Sequence, residues 1–308
     1  MKNLLKQQLL STCDLYQQKF DVQIKHQFIA TTIEHKMALA NPKIKCLSPE
    51  INTDLLLCQP QSIPIIYSCP LGLFLASYLQ ISLQMVTDNL EKLLILTQNN
   101  LAAESKLRLQ VAILSSGWLN FYLDSQTIVT WLERSLFVIK NNTIDNQSLS
   151  TAAKVYALDK TPDNLFSSQY IHARCCSLLR LGAREKLITL QGNFEQIGWQ
   201  LKQPQSISWS DREHNLWLTE LSAYNLLRQL LMVADAFASN SDNDDWFKIA
   251  LSLSQTTAIF LTDCRFLGEV KQQYLQKAIA RLALIALVQY WLQRILVEKL
   301  NIMAPTEL

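Results

Sequence analysis

The sequence predicts a mainly α-helical protein. A smaller α+β part occupies residues 1–140 and a helical bundle residues 164–308, with a polar junction over 141–163. Three observations carry this. Glycine and proline are scarce, 6 and 8 of 308 residues, while leucine and glutamine are abundant, a balance that favours long helices over a β-sandwich. Strict apolar–polar alternation is confined to two short runs before residue 124. Beyond residue 163 the apolar residues recur at helical spacing. A length of 308 residues also suits about two domains.

The elements follow in order. Residues 1–20 are amphipathic, with Leu5, Leu9, Cys13 and Tyr16 at helical spacing. Residues 21–66 are mixed and punctuated by Pro42, Pro49, Pro60 and Pro64, with lysines that read as a solvated surface. Pro70 opens a short helix through Tyr78. Ser82 caps a second, whose face carries Met85, Val86, Leu90, Leu93 and Leu94. Leu107, Leu109, Val111 and Ile113 alternate as a strand; Gly117 turns the chain; Leu119, Phe121 and Leu123 form the return strand of a hairpin. A helix is expected from about Gln126 to Lys140. The polar stretch 141–163 reads as a junction. A helix then runs from about Asn164 to Leu181, with Gly182 as its C-terminal stop. Residues 183–209 are less regular. Ser210 with Glu213 three positions on reads as a capping box opening a long helix to about Ala238. Further helices are expected over Asp245 to Thr262 and Glu269 to Leu300. The latter is apolar nearly all round between Leu282 and Leu292 and so needs neighbours on several sides.

Several chemistries are excluded. The six glycines are too widely spread to build a P-loop or a dinucleotide fingerprint, whose backbones must approach phosphate closely. The net charge is +2, far from the strong positive field of an obvious nucleic-acid binder. Seven cysteines lack any C-x-x-C spacing, and Cys175 and Cys176 are adjacent, which suits reduced core thiols in a cytoplasmic protein. The first residues lead into Gln7-Gln8 and not into an apolar signal core, and the longest apolar run, Leu282 to Gln293, is short of the ~20 residues of a membrane span. Asp242, Asp244 and Asp245 are followed by Trp246 and Phe247 where a calcium loop needs glycine, so they read as a solvated helix cap and no metal is expected. His214 has no nucleophile with an orienting acid beside it, and no catalytic residue is assigned.

One segment is recognisable. Residues 163–180, with the core Tyr170-Ile171-His172-Ala173-Arg174, resemble the opening of the C-terminal anticodon-binding domain of arginyl-tRNA synthetases. Phe260 to Leu267, containing Cys264-Arg265, is similar to that family's Cys-Arg-Val-Leu stretch. Arg281 to Leu284 and the terminal Asn301 to Leu308 are similar to its closing helix and its final Ala-Pro-Glu-Arg-Met. Toward the N-terminus, Tyr67 to Leu94 and Ser116 to Leu123 resemble the same family's additional domain. In that family a catalytic domain lies between these parts, whereas here only residues 141–163 intervene, and one βαβ unit alone needs ~30 residues. The family's His-x-Gly-His and Lys-Met-Ser-Lys signatures do not occur, since Lys36-Met37 is followed by Ala38-Leu39.

The resemblance therefore implies a synthetase relative without its catalytic centre, a non-catalytic binder of tRNA or a tRNA-like RNA. Arginine–tRNA ligase activity, and ATP as cofactor, would follow from family membership only, and no cofactor is expected. It implies RNA-contacting roles for Tyr170, His172, Arg174, Arg180, Arg184 and Lys186. Tyr170 and Arg174 fit stacking on a splayed base and phosphate contact; equally, they fit residues that tether the bundle to another domain. Glu307 stands where the family carries arginine, which disfavours a phosphate nearby. The alternative function is a protein-interaction or oligomerisation module on the same fold, which the near-neutral charge favours.

Overall fold

A computed structural model describes residues 1–2, 5, 7, 9, 16, 56–59, 62–93, 109–141, 163–191, 200–204, 206–239 and 245–308. The chain divides into two compact units, Met1–Thr127 and Ile128–Leu308. The expected junction at 141–163 lies, apart from its two end residues, outside the described residues.

The first unit is built on a four-stranded antiparallel sheet of order β1-β2-β4-β3. β1 is Leu57–Cys58, β2 Ile65–Cys69, β3 Leu109–Ile113 and β4 Leu119–Leu123. The alternation of β4 is realised: Leu119, Phe121 and Leu123 are buried, and Asn120 and Tyr122 are half-buried. Tyr67 pairs with Phe121, and both are buried; Ser68 pairs with Asn120 and donates a 2.7 Å side-chain hydrogen bond to it. β2 falls where the prolines suggested irregular chain, because its run Ile-Ile-Tyr-Ser-Cys is buried on both faces and does not alternate.

Helix α1 is Leu71–Leu79, and α2 covers residues 83–93, with Ser82 Oγ accepting from the Met85 N–H at 3.3 Å. Gly117 adopts a left-handed φ of 82° at the β3–β4 turn, and its carbonyl accepts from the Gly72 N–H at 3.0 Å. A Cβ on Gly72 would stand 2.6 Å from that oxygen, so glycine is what lets the turn meet α1. Helix α3, Ser125–Asn141, starts at Asp124, whose carboxylate accepts from the Thr127 N–H at 2.7 Å.

The second unit holds α3 from Ile128 onward and the helical bundle: α4 (Asp163–Arg184), α5 (Leu221–Ser239), α6 (Trp246–Asp263), the short α7 (Glu269–Gln273) and α8 (Leu275–Arg294), which ends in a π-helical turn, Ile295–Lys299. α8 packs against α4, α5 and α6 and is buried almost all round, as its sequence requires. Among the described residues it is the one helix long and apolar enough to cross a membrane, and 83% of its most apolar window is buried inside the protein. It is the core helix.

Three expectations are corrected. Gly182 does not stop α4; it lies inside the helix, where an added Cβ would meet the Leu282 methyls at 2.8 and 2.9 Å, so glycine serves the α4–α8 approach. The stop comes two residues after α4's last residue, Arg184. Lys186 takes φ 58°, its N–H donates to Ala183 O at 3.0 Å, and the Leu187 N–H donates to Gly182 O at 3.0 Å, a Schellman ending. Second, Ser210 and Glu213 open no helix. Asp211 accepts from the backbone N–H groups of Glu213 and Asn215, both at 2.9 Å, and folds 210–216 into a turn closed by the Ser210–Leu216 bridge; α5 begins at Leu221. Third, the last helix breaks at Tyr274, between α7 and α8. Within 183–209, β5 (Thr189–Gln191) and β6 (Gln200–Gln203) form an antiparallel pair.

Polar anchors tie the bundle together. Ser254 of α6 donates to Ser168 of α4 at 2.9 Å. Glu220 pairs with Lys277 at 2.6 Å and with the buried Arg281 at 2.7 Å, and Arg281 also donates to the Arg265 carbonyl.

Candidate nucleic-acid interface

α4 is amphipathic in three directions. One face, with Leu165, Cys175, Cys176 and Leu179, is buried in the core. A second carries polar side chains that hold the chain segment after the π turn. Gln169 Nε2 donates to Met303 O at 2.9 Å, and His172 Nδ1 to Pro305 O at 2.8 Å. Arg180 Nη2 donates to Thr306 O at 3.1 Å and pairs with the Glu307 carboxylate at 3.2 Å. An irregular strand is thus pinned along the helix by successive carbonyls, which satisfies backbone groups that no secondary structure serves.

His172 is the centre of this clamp. It is fully buried, and its Nε2 accepts from Gln289 Nε2 of α8 at 3.1 Å. Gln289 passes its second N–H to Gln293 at 3.0 Å, so the neutral ring with the proton on Nδ1 satisfies every partner. Burial pushes its pKa down to about 4, against the smaller upward pull of the Pro305 carbonyl. Cys176, 3.9 Å away, is held up at about 12 by burial and stays a thiol. His172 was expected to contact RNA; its side chain is buried and holds the Pro305 carbonyl of the chain end.

The third face of α4 is open. Tyr170 is 50% exposed, and Arg174, Ser177 and Arg184 are exposed beside it. With Arg180, Glu307 and Leu308 they line a polar surface groove of about 520 Å³. Arg180 is engaged in the clamp, its side chain 17% exposed, so the unengaged guanidinium groups of this groove are those of Arg174 and Arg184. Lys186 is exposed beyond the groove, on the left-handed residue of the Schellman ending. Arg174 also borders a second groove of about 530 Å³, mostly apolar, with Leu178, Leu261, Phe266 and Arg265 in its wall. An anion held by Arg174 would therefore sit between a polar and an apolar recess, which suits a nucleotide with its phosphate at the rim and its base inside.

One residue escaped the sequence reading. Phe166 is 58% exposed and lies one turn before Tyr170. Its signal was present: an aromatic at i−4 of a candidate stacking residue shares its helix face. Asp242 and Asp244 lie outside the described residues, while Asp245 caps α6 by accepting from the Lys248 N–H at 3.1 Å. Among the described residues no group of His, Cys, Asp and Glu is placed to hold a metal ion.

Residues 168–308 match the model of the DALR anticodon binding domain, a domain found in arginyl- and cysteinyl-tRNA synthetases. The match spans under half of the chain and covers Gln169, His172, Arg180 and the pinned segment 303–307 that α4 holds. No curated protein and no solved structure gives a significant match.

Proposed function

We propose that the protein is a non-catalytic, synthetase-like binder of tRNA or a tRNA-like RNA, which docks a single-stranded loop on the open face of α4. The observation that carries this reading is the groove in which Tyr170 stands exposed beside Arg174 and Arg184 in a domain of the anticodon-binding class. Tyr170 supplies a stacking surface; Arg174, Arg184 and Lys186 supply charge for phosphates. Residues 1–140 are read as a remnant of the synthetase additional domain, and the lack of His-x-Gly-His and Lys-Met-Ser-Lys signatures supports a role in holding RNA without activating an amino acid. A cytoplasmic location fits the five described cysteines, all free thiols.

Titration with tRNA at two salt concentrations tests the reading. Three phosphate contacts give a slope of log K against log salt of about −2, at roughly −0.7 per contact for single strands. Arg174→Ala with Arg184→Ala lowers affinity and flattens the slope. Failure to bind at low salt retires the proposal. The second reading, a protein-interaction or oligomerisation module on the same fold, is favoured by the near-neutral net charge of +2.

A further inference from the structure

We infer that RNA binding extends beyond the groove, along the whole open face of α4, and that Phe166 stacks a base at its far end. The inference rests on the reading above and adds a site residue and a ligand class to it: single-stranded RNA several nucleotides long, not one base in a pocket.

Phe166, Tyr170, Arg174, Ser177 and Arg184 are all exposed. At 100° per residue they fall within about 80° of one another around the helix, so they form one stripe. From Phe166 to Arg184 the stripe is about 27 Å long at 1.5 Å per residue. A stacked strand advances ~3.4 Å per nucleotide, so the stripe accommodates up to about eight nucleotides, fewer when bases are splayed. The groove at Tyr170 and Arg174 uses only its middle.

Charge and chemistry select the occupant. The one acid within α4 is Asp163, at its first position, and Glu185, just beyond its end, is tied to Lys271 at 2.6 Å. The stripe therefore runs from two aromatic rings into arginines, with Glu307 on Arg180 as the acid bordering the groove. A purely apolar partner would leave those arginines desolvated without counter-charge, which is costly. A polyanion with flat apolar faces satisfies both halves: bases on Phe166 and Tyr170, phosphates on Arg174 and Arg184. An exposed phenylalanine one helical turn from an exposed tyrosine places two rings where successive bases can each find a face.

The test is binding of fluorescein-labelled octauridylate to the full chain and to Phe166→Ala, Phe166→Leu and Phe166→Trp variants, with circular dichroism to verify folding. Alanine at a base-stacking position weakens single-strand binding by roughly 5- to 150-fold (~1–3 kcal/mol). Phe166→Ala and Phe166→Leu should both weaken binding, since leucine keeps the apolar volume but has no π-face. Phe166→Trp should restore affinity, and its indole fluorescence should be quenched on titration. The salt slope should stay the same in all three, because no phosphate contact is touched. Phe166→Ala binding like the parent, while Arg174→Ala weakens, would overturn the extended track and leave the groove reading intact. Loss of affinity equal for Phe166→Ala and Phe166→Trp would also overturn it. Absence of octauridylate and tRNA binding by the parent at low salt removes the reading beneath it as well.

Discussion

The His172 clamp makes stability and the shape of the groove depend on pH. The native ring is neutral, with a pKa of about 4, because it is buried and its Nε2 must accept from Gln289. In the unfolded chain the same ring titrates near 6.5. The folded pKa lies below the unfolded one, so the unfolded state binds the proton more readily, and stability falls as pH drops from about 6.5 toward 4. The full effect of a shift from 6.5 to about 4 is ~3 kcal/mol, and most of it, ~2–3 kcal/mol, is lost between pH 7.5 and 4.5. The comparison is His172→Gln, which removes the titrating ring and destabilises by ~1–3 kcal/mol at pH 7.5 through a poorly satisfied buried site. Urea denaturation followed by tryptophan fluorescence at both pH values gives the difference. Carboxylates common to both proteins cancel. The parent should lose ~2–3 kcal/mol more than the variant on acidification. Equal losses, or a His172 imidazole resonance titrating near 6.5 in the native protein, would refute the reasoning.

Other outcomes follow from the same contacts. Glu307→Gln releases Arg180 from a surface pair worth ~0.2–1 kcal/mol, so tRNA affinity should rise by about 1.4- to 5-fold with a steeper salt dependence; unchanged binding would show that Arg180 stays committed to the Thr306 carbonyl. Gly182→Ala forces a methyl against Leu282, and the melting temperature should fall as ~1–3 kcal/mol of overpacking is added; a neutral result would mean α4 and α8 separate freely. Lys186→Gly should act in opposite directions: the left-handed ending favours glycine and stability rises by ~0.5–1 kcal/mol, while tRNA binding weakens through the lost charge. A weaker fold in that variant would contradict the Schellman assignment.

How far the sequence carries this account depends on the range of the interactions involved. α6 was legible to within a residue, because Asp245 caps it locally and Leu253 and Phe260 mark its inner face, with the half-buried Ile249 at the edge. The β3–β4 hairpin was legible because alternation and Gly117 are local as well. Gly182 was misread because the residue that requires it, Leu282, is a hundred positions away. Ser210 and Glu213 have the spacing of a capping box, but Asp211 between them takes the Glu213 N–H that Ser210 would need, accepts from the Asn215 N–H as well, and closes a turn first. At the candidate site, Tyr170, Arg174, Ser177 and Leu181 were readable as one helix face, with Arg184 and Lys186 following on the same segment. The burial of His172 and the commitment of Arg180 were not, since both depend on where residues 303–307 return.

That return gives the helix its division of labour. Gln169, His172 and Arg180 lie at i, i+3 and i+11, a ridge on one side of α4, and they grip the backbone carbonyls of a segment with no regular structure. Phe166, Tyr170, Arg174 and Arg184 occupy the neighbouring ridge and carry no such commitment to that segment. Glu307 stands at the border and neutralises the one arginine that belongs to both. A substitution in the gripping ridge should therefore alter RNA binding only through the chain end, and its effect should vanish in Glu307→Gln with Arg180→Ala as background. A substitution in the open ridge should act in either background. A double-mutant cycle between His172→Gln and Glu307→Gln, against one between Tyr170→Ala and Glu307→Gln, distinguishes them: coupling above ~0.5 kcal/mol is expected in the first and additivity in the second. Strong coupling in the second would mean that Tyr170 also serves to hold the chain end, and the assignment of the open face to RNA would lose its central residue.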